Sequence, residues 1–193
     1  WNCLSQNSFD VEWGFSTMGY EVSGAWGASM ALADSRRAAG GEVLAFMGDG
    51  SYLMGNSDVF SSVLTGHKVI FIVCDNGGFA VINRLQVNTG GAEFNNLLAS
   101  SRRACDARVD FVQHLTALGA QAEMVTSIAD LPAAFERARA CDRSYGIVIP
   151  VQAYSWLEGS AWWEVGIPEV SERAEVRVAR GASDAEKKHQ RRA

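Results

Sequence analysis

Gly48-Asp49-Gly50-Ser51 and, one βα unit further on, Asp75-Asn76-Gly77-Gly78 are the residues in this chain whose types and spacing best suit chemistry. One cluster offers a carboxylate and the other a side-chain amide, which together suit a magnesium ion that carries a diphosphate. Magnesium takes octahedral oxygen coordination, binds through one or two side chains, and leaves phosphate oxygens to complete its shell. In this reading Asp49 supplies the charged ligand, Asn76 a neutral oxygen, and the backbone carbonyl of Gly78 completes the protein's share. Gly48 and Gly50 lack a β-carbon, tolerate positive φ and let the backbone pass close to the phosphates. The amides of Gly50 and Ser51 then point at the anion. Each cluster taken alone also reads as an ordinary turn after a strand; their pairing is what favours the clamp.

The elements that must position these residues are legible around them. Apolar runs at Glu42–Met47 and Lys68–Cys74 lead into the two clusters, so both clusters sit at the carboxyl ends of buried strands. Two such strands joined by one helical crossover are parallel neighbours with their ends at the same sheet edge, where α/β folds bind ligands. Capping residues at Asn56-Ser57-Asp58 open an amphipathic run to Leu64, whose amino end is expected to face the phosphates as well. Residues 77–98 read as a Gly- and Asn-rich loop with one helical turn near Phe79–Ile82, expected to order over the bound group. Further on, the pattern predicts a helix over 110–118 closed by Gly119, a strand over 120–125, a helix over 128–142 with Pro132 in its first turn, and a strand over 146–152. The alternation predicts an α/β fold, a doubly wound, mostly parallel sheet with helices on both faces.

Gly-Asp-Gly followed at this distance by Asp-Asn resembles the cofactor signature of the thiamine-diphosphate-dependent decarboxylase and acetohydroxyacid synthase superfamily. Upstream, Gly14–Glu21 precedes a small-residue helix at Val22–Ala33, and in that superfamily the equivalent loop holds the aminopyrimidine ring. The resemblance implies that Met18 is the apolar wedge under the cofactor, with the Ser16 carbonyl and the Met18 amide on the pyrimidine edge. Within the superfamily the chain is similar to the trihydroxycyclohexanedione hydrolases of myo-inositol breakdown. That likeness runs through Phe15–Glu21, Gly48–Met54, Asp75–Phe79, Ile82–Gln86, Thr89–Leu98, Trp162–Val165 and Pro168–Arg173. It implies hydrolysis of a cyclic 1,2-dione, 3D-(3,5/4)-trihydroxycyclohexane-1,2-dione, to 5-deoxyglucuronate, with thiamine diphosphate and Mg2+ as cofactors. It also implies that the glutamate which activates the cofactor lies in a separate pyrimidine-binding domain; neither that domain nor the central domain is found in this sequence. A homo-oligomer, at least a dimer, follows, because the cofactor of these enzymes lies between subunits. The remaining alternatives are another thiamine-diphosphate enzyme, acetohydroxyacid synthase-like or a 2-oxoacid decarboxylase, and a non-catalytic cofactor-binding or interaction module.

The resemblance divides the chain into a thiamine-diphosphate- and magnesium-binding domain over 13–170 and a charged helical tail over 171–193. Residues 1–12 match the family poorly and read as a cut or aberrant start. Gly77 stands where the family often carries a bulkier polar residue. The 193 residues suit one α/β domain, and at 48% hydrophobic the chain can bury a sizeable core. A formal charge of −5 argues against a nucleic-acid surface. No run approaches a membrane span and no charged-then-apolar leader is present, so a cytoplasmic location is expected. Cys3, Cys74, Cys105 and Cys141 lack metal-site spacing and read as free, buried thiols in a reducing cytoplasm. His67, His114 and His189 read as structural or solvated, since none joins a nucleophile or an orienting acid. Asn83, Arg84 and Gln86 are placed to meet substrate hydroxyls or to serve structure alone. The Trp156–Trp163 stretch reads as a packing contact, and the basic end Lys187–Arg192 as a solvated helix end.

Overall fold

The computed structural model describes residues 3, 8–12, 14–34, 41–155 and 166–189. The tryptophan-rich stretch 156–163, the 162–165 string and the basic end beyond His189 lie outside the described residues. The described chain runs α1 (Tyr20–Asp34), β1 (Leu44–Gly48), α2 (Asp49–Gly55), α3 (Ser57–Leu64), β2 (Ile70–Asp75), α4 (Ala80–Asn88), α5 (Phe111–Ala117), β3 (Gln121–Met124), α6 (Leu131–Ala140), β4 (Tyr145–Pro150) and α7 (Ala174–Lys187). It divides into two units, residues 1–76 with 107–151 and residues 77–106 with 152–193.

The first unit is built on a 4-stranded sheet of order β1-β2-β4-β3, every pairing parallel. Side chains alternate between the faces of a strand, and in β2 that alternation feeds separate cores. Phe71 and Val73 pack with Val22 of α1, Val59 of α3 and Phe111 and Leu115 of α5, while Ile70 and Ile72 pack with Ala134 and Ala138 of α6. A strand apolar on both sides is what a sheet covered on both faces requires. The strand order explains why helices cover both: β1 to β2 to β3 advances across the sheet, and β3 to β4 steps back. Crossovers of one hand that run in opposite directions lie on opposite faces, which sends α6 to the side away from α1, α3 and α5. Gly146 of β4 lets α5 come close, because a β-carbon there would collide with the Leu115 side chain. At the opposite sheet edge from the cluster-bearing strand ends, the Lys68 ammonium donates to the carbonyl oxygens of Arg139 (2.8 Å) and Cys141 (2.6 Å) where α6 ends. A cation there complements the helix dipole.

Helix boundaries follow local chemistry. The Asp110 carboxylate accepts from the Gln113 amide at 2.9 Å and starts α5 at Phe111. The expected helix over 128–142 begins only at Leu131, because Ser127 and Asp130 close a turn on each other (2.7 Å) that leaves Ile128 90% exposed.

The second unit corrects the loop expected over 77–98, which contains the 9-residue helix α4. Its end is set by the Thr89 hydroxyl, which donates to the carbonyls of Leu85 and Gln86 at 3.0 Å each, and by Gly90 at φ +86. Gly90 also lies against the Glu175–Val176 backbone of α7, where a β-carbon would come within 2.5 Å of Glu175. Gly78 forms an isolated antiparallel bridge with Leu97, and the adjoining bonds Phe79 N–H to Asn96 O (2.7 Å) and Leu98 N–H to Gly77 O (2.8 Å) fold 94–98 back on the start of α4.

Candidate functional site

In the parallel register Gly48 faces Cys74, and β2 runs one residue further, to Asp75, so Asp49 and Asn76 both leave the sheet at the same edge. Asp49 is 4% exposed, and its Oδ1 accepts the Asn76 backbone N–H at 3.2 Å. The Asn76 side-chain oxygen is buried without a hydrogen-bond partner. A buried carbonyl oxygen left unsatisfied costs about 1–3 kcal/mol. It belongs to a residue bonded through its backbone to a buried carboxylate, and an electropositive group would satisfy it. An oxygen-seeking divalent ion fits these donors, a carboxylate plus a neutral amide oxygen. Burial raises the pKa of the neighbouring Cys74 thiol, and the Asp49 charge adds to the effect. The expectation of buried thiols is corrected for Cys3 and Cys105, which are exposed.

The structure revises how the glycines serve the turn. Gly48 is extended, with φ −76 and ψ 159, and Gly50 lies within α2, so neither is needed for positive φ. Positive φ instead falls at Gly77 (+77) and Gly78 (+142) after β2. At Gly78 a β-carbon would also collide with the Asn96 carbonyl oxygen. Gly78 belongs to the second unit, whereas Ser16, Met18, Gly48, Asp49, Gly50, Ser51 and Asn76 belong to the first.

The helix that starts at the Gly-Asp-Gly turn is α2, not α3 as the capping residues at 56–58 suggest. Its first-turn amides, those of Gly50 and Ser51 among them, have no acceptor within the helix, and no side chain caps it. Asp58 of α3 is engaged elsewhere, accepting from Ser23 of α1 at 2.5 Å and from Ser61 at 3.2 Å. The short α2 escapes sequence reading because it runs directly out of a strand and has glycine at both ends.

Ser16 and Met18 sit on a turn shaped by carboxylates. The Glu12 carboxylate accepts the Phe15 N–H (2.9 Å) and the Thr17 N–H (2.8 Å), and these backbone bonds hold its pKa below the ordinary value. Ser16 adopts φ +50, an uncommon conformation for a residue other than glycine. Met18 is 36% exposed. At the far side of the turn the Gly19 N–H is shared between Ser51 Oγ (2.9 Å) and Glu21 Oε2 (3.0 Å), and Ser51 Oγ donates to Glu21 Oε2 at 2.8 Å. Sequence reading missed Glu12, Glu21 and Gly19 as shapers of this turn. The acidic residues flanking a loop rich in backbone N–H donors are the available signal.

The histidines fall as expected where their partners are seen. His114 Nδ1 lies 2.8 Å from the hydroxyl of fully buried Tyr52, and its ring meets the Tyr52 ring edge-on at 5.6 Å. His67 is in the turn before β2, its amide bonded to the Ser62 carbonyl at 3.0 Å, and His189 lies just beyond α7. Asn83 is 4% exposed and donates to Glu93 at 3.0 Å, and Gln86 accepts from Asn96 at 2.6 Å; both sit on α4 in the second unit. Among the described residues no group of three or more His, Cys, Asp or Glu side chains is arranged to hold a metal. None of the described helices is long and apolar enough to cross a membrane.

Comparison with known proteins bears on this geometry. Residues 1–149 match the family described as thiamine pyrophosphate enzyme, C-terminal TPP binding domain. Similar curated relatives are named 3D-(3,5/4)-trihydroxycyclohexane-1,2-dione hydrolase. That of Listeria monocytogenes is 33% identical over 180 residues, covering 93% of this chain and 27% of the relative. That of Bacillus subtilis is 32% identical over 186 residues, covering 95% of this chain and 28% of the relative. Among solved structures, benzoylformate decarboxylase from Polynucleobacter necessarius superposes with a TM-score of 0.62 at 21% identity, covering 72% of this chain and 24% of that one. A thiamine diphosphate-dependent 4-hydroxybenzoylformate decarboxylase from Rhodococcus jostii gives 0.56 at 24% identity, covering 70% and 23%. These structures share the fold. The chain spans little more than a quarter of the length of the curated relatives it matches.

Proposed function

Because the chain belongs to the thiamine pyrophosphate enzyme family, of which it carries the C-terminal TPP binding domain, we propose that it binds the diphosphate end of the cofactor through a magnesium ion held by Asp49 and Asn76. The unsatisfied, buried Asn76 Oδ1, on a residue whose backbone N–H bonds the buried Asp49 carboxylate, carries this reading. Asp49 supplies charge and Asn76 a neutral oxygen. The Gly78 carbonyl is the third protein ligand in this proposal, and Gly48 leaves room for close approach of the phosphates. The amides of Gly50 and Ser51, in the first turn of α2, donate to phosphate oxygens. The Ser16 carbonyl and the Met18 amide take the pyrimidine edge, and the Met18 side chain supports the cofactor from below. The binding domain in this proposal runs over 13–170, followed by the helical tail.

When bound, thiamine diphosphate supplies the carbon nucleophile that attacks a substrate carbonyl, while the protein contributes orientation and electrostatics. The names of the relatives at 32–34% identity support a substrate class, a cyclic 1,2-dione bearing hydroxyls, and a reaction type, hydrolytic cleavage between the carbonyl carbons. On this proposal the whole protein is a magnesium-dependent hydrolase of inositol breakdown, acting in the cytoplasm on trihydroxycyclohexanedione to give 5-deoxyglucuronate. It works as a homo-oligomer together with pyrimidine-binding and central domains. The pyrimidine-binding domain contributes the acid that activates the cofactor.

Thermal denaturation tests the clamp. Magnesium and thiamine diphosphate together should raise the Tm more than either alone, since a ligand at 100 times its Kd stabilises by about 2.7 kcal/mol. The joint increment should vanish in Asp49→Ala. No joint increment in the unaltered chain would overturn the clamp. Ring opening of the dione by the protein supplied with its pyrimidine-binding domain tests the substrate; turnover of a 2-oxoacid in its place would overturn that assignment.

A further inference from the structure

Ser51 closes the Gly-Asp-Gly-Ser turn, and a serine there invites the reading that its hydroxyl binds phosphate. In this structure the hydroxyl has another engagement. It is 7% exposed at the residue level, donates to Glu21 Oε2 at 2.8 Å and accepts the Gly19 N–H at 2.9 Å. The same Glu21 oxygen accepts the Gly19 N–H at 3.0 Å. Gly19, φ +95, is packed so closely on α2 that a β-carbon on Gly55 would come within 2.7 Å of its carbonyl oxygen. The 15–19 turn is thus locked to the α2 turn by a charged three-way bond and by backbone contact. Its other side is gathered by the Glu12 carboxylate through Phe15 and Thr17.

We propose that Ser51 and Glu21 are positioning residues that fix the Ser16–Met18 turn against the Gly-Asp-Gly-Ser turn, so that a side chain of the diphosphate turn governs recognition at the ring end of the cofactor. Ser51 then serves the phosphates through its backbone amide and the ring through its hydroxyl. Its single donor is used within the latch, facing a carboxylate, and one of its two lone pairs faces an amide, so no O–H remains for a phosphate oxygen. Bonds to a charged acceptor are the stronger kind, and Glu21 receives bonds from both sides of the junction. The inference rests on the proposed binding of the pyrimidine edge by Ser16 and Met18.

The test compares thiamine diphosphate with inorganic pyrophosphate, each with magnesium, on the full chain by calorimetry, alongside hydrogen exchange at the Gly19 amide. Ser51→Ala and Glu21→Ala should each weaken thiamine diphosphate about tenfold, the size expected for losing one charge-assisted bond, and leave pyrophosphate affinity within twofold, about the experimental scatter. Glu21→Gln keeps an oxygen acceptor and should recover most of the loss. Exchange at Gly19 should speed up in both alanine variants. A role in general stability would weaken both ligands alike and so overturn the proposal, as would equal loss arising from a direct phosphate contact. A preference for thiamine diphosphate that survives in Ser51→Ala would overturn this inference alone. Equal affinity of the unaltered chain for the two ligands would overturn the ring-binding reading and this inference with it.

Discussion

Gly48 and Cys74 face each other across the parallel pairing of β1 and β2, and just past them the Asp49 carboxylate accepts the backbone N–H of Asn76, two residues beyond Cys74, at 3.2 Å. The carboxylate-bearing residue and the residue bearing the side-chain amide are therefore tied through the Asn76 backbone. Changing the amide to an acid gives the first prediction. Asn76→Asp sets a second carboxylate beside Asp49, and two like charges in one buried site repel. In the absence of divalent ions the Tm at neutral pH should fall by a few degrees, on the order of 1–2 kcal/mol. Magnesium should restore it. A thermal scan with and without magnesium decides; a variant equally stable in both conditions would contradict the assignment.

Tyr52→Phe should cost about 1 kcal/mol, because it removes the buried hydroxyl that bonds the half-buried His114 Nδ1 while preserving the ring contacts with Phe111 and His114. Chemical denaturation should show the loss in the midpoint, with an unchanged slope. Joint stabilisation by magnesium and thiamine diphosphate should persist, which separates this packing role from the clamp.

Gly146→Ala drives a β-carbon into the Leu115 side chain at the centre of the sheet. Overpacking of this kind typically costs about 1–3 kcal/mol. Urea unfolding measures the loss, and the double variant Gly146→Ala with Leu115→Val should recover part of it. Full additivity of the two losses would show that the pair does not clash.

The Glu12 carboxylate has its pKa lowered by the amides of Thr17 and Phe15, so the bonds it makes are fully present above its ordinary carboxylate range. They are lost as pH falls through the lowered folded value. NMR titration should show the Thr17 and Phe15 amide shifts moving together with an apparent pKa below 4.5, the ordinary value for this group. Glu12→Gln should flatten both titrations.

Cys74 should react slowly with iodoacetamide at pH 8 compared with exposed Cys105, since burial and the Asp49 charge disfavour its thiolate. Mass spectrometry after partial alkylation resolves the two sites. Equal rates would mean that the end of β2 opens readily.

The parts of this site that can be read from sequence are those fixed by strand ends. Asp49 and Asn76 follow long apolar runs, so their common sheet edge is visible from the pattern of residues 42–76. The apolar character of Ile70–Val73 on both faces likewise announces a covered sheet. What escaped prediction depends on contacts distant in sequence or on weak local signals. Ser51 and Glu21 are 30 residues apart, and the direction of a hydroxyl is decided only when their turns meet. Tyr52 and His114 are 62 apart. The α4 helix was hidden by its asparagines, Asn83 and Asn88, and by the glycines that bracket it, all poor helix formers. Its limits are imposed by Thr89 and Gly90 rather than by a strong periodic stripe.

Asp49 and Asn76 come immediately after the ends of the adjacent strands β1 and β2, so the spacing of their backbones derives from the repeat of a β-ladder, about 4.8 Å from strand to strand. The α3 part of the crossover that joins those strands can lengthen, shorten or change its sequence without resetting that spacing, whereas α2 itself carries Asp49, Gly50 and Ser51. Drift in α3 is thereby uncoupled from the spacing of Asp49 and Asn76, and a divergent α3 can leave it unchanged.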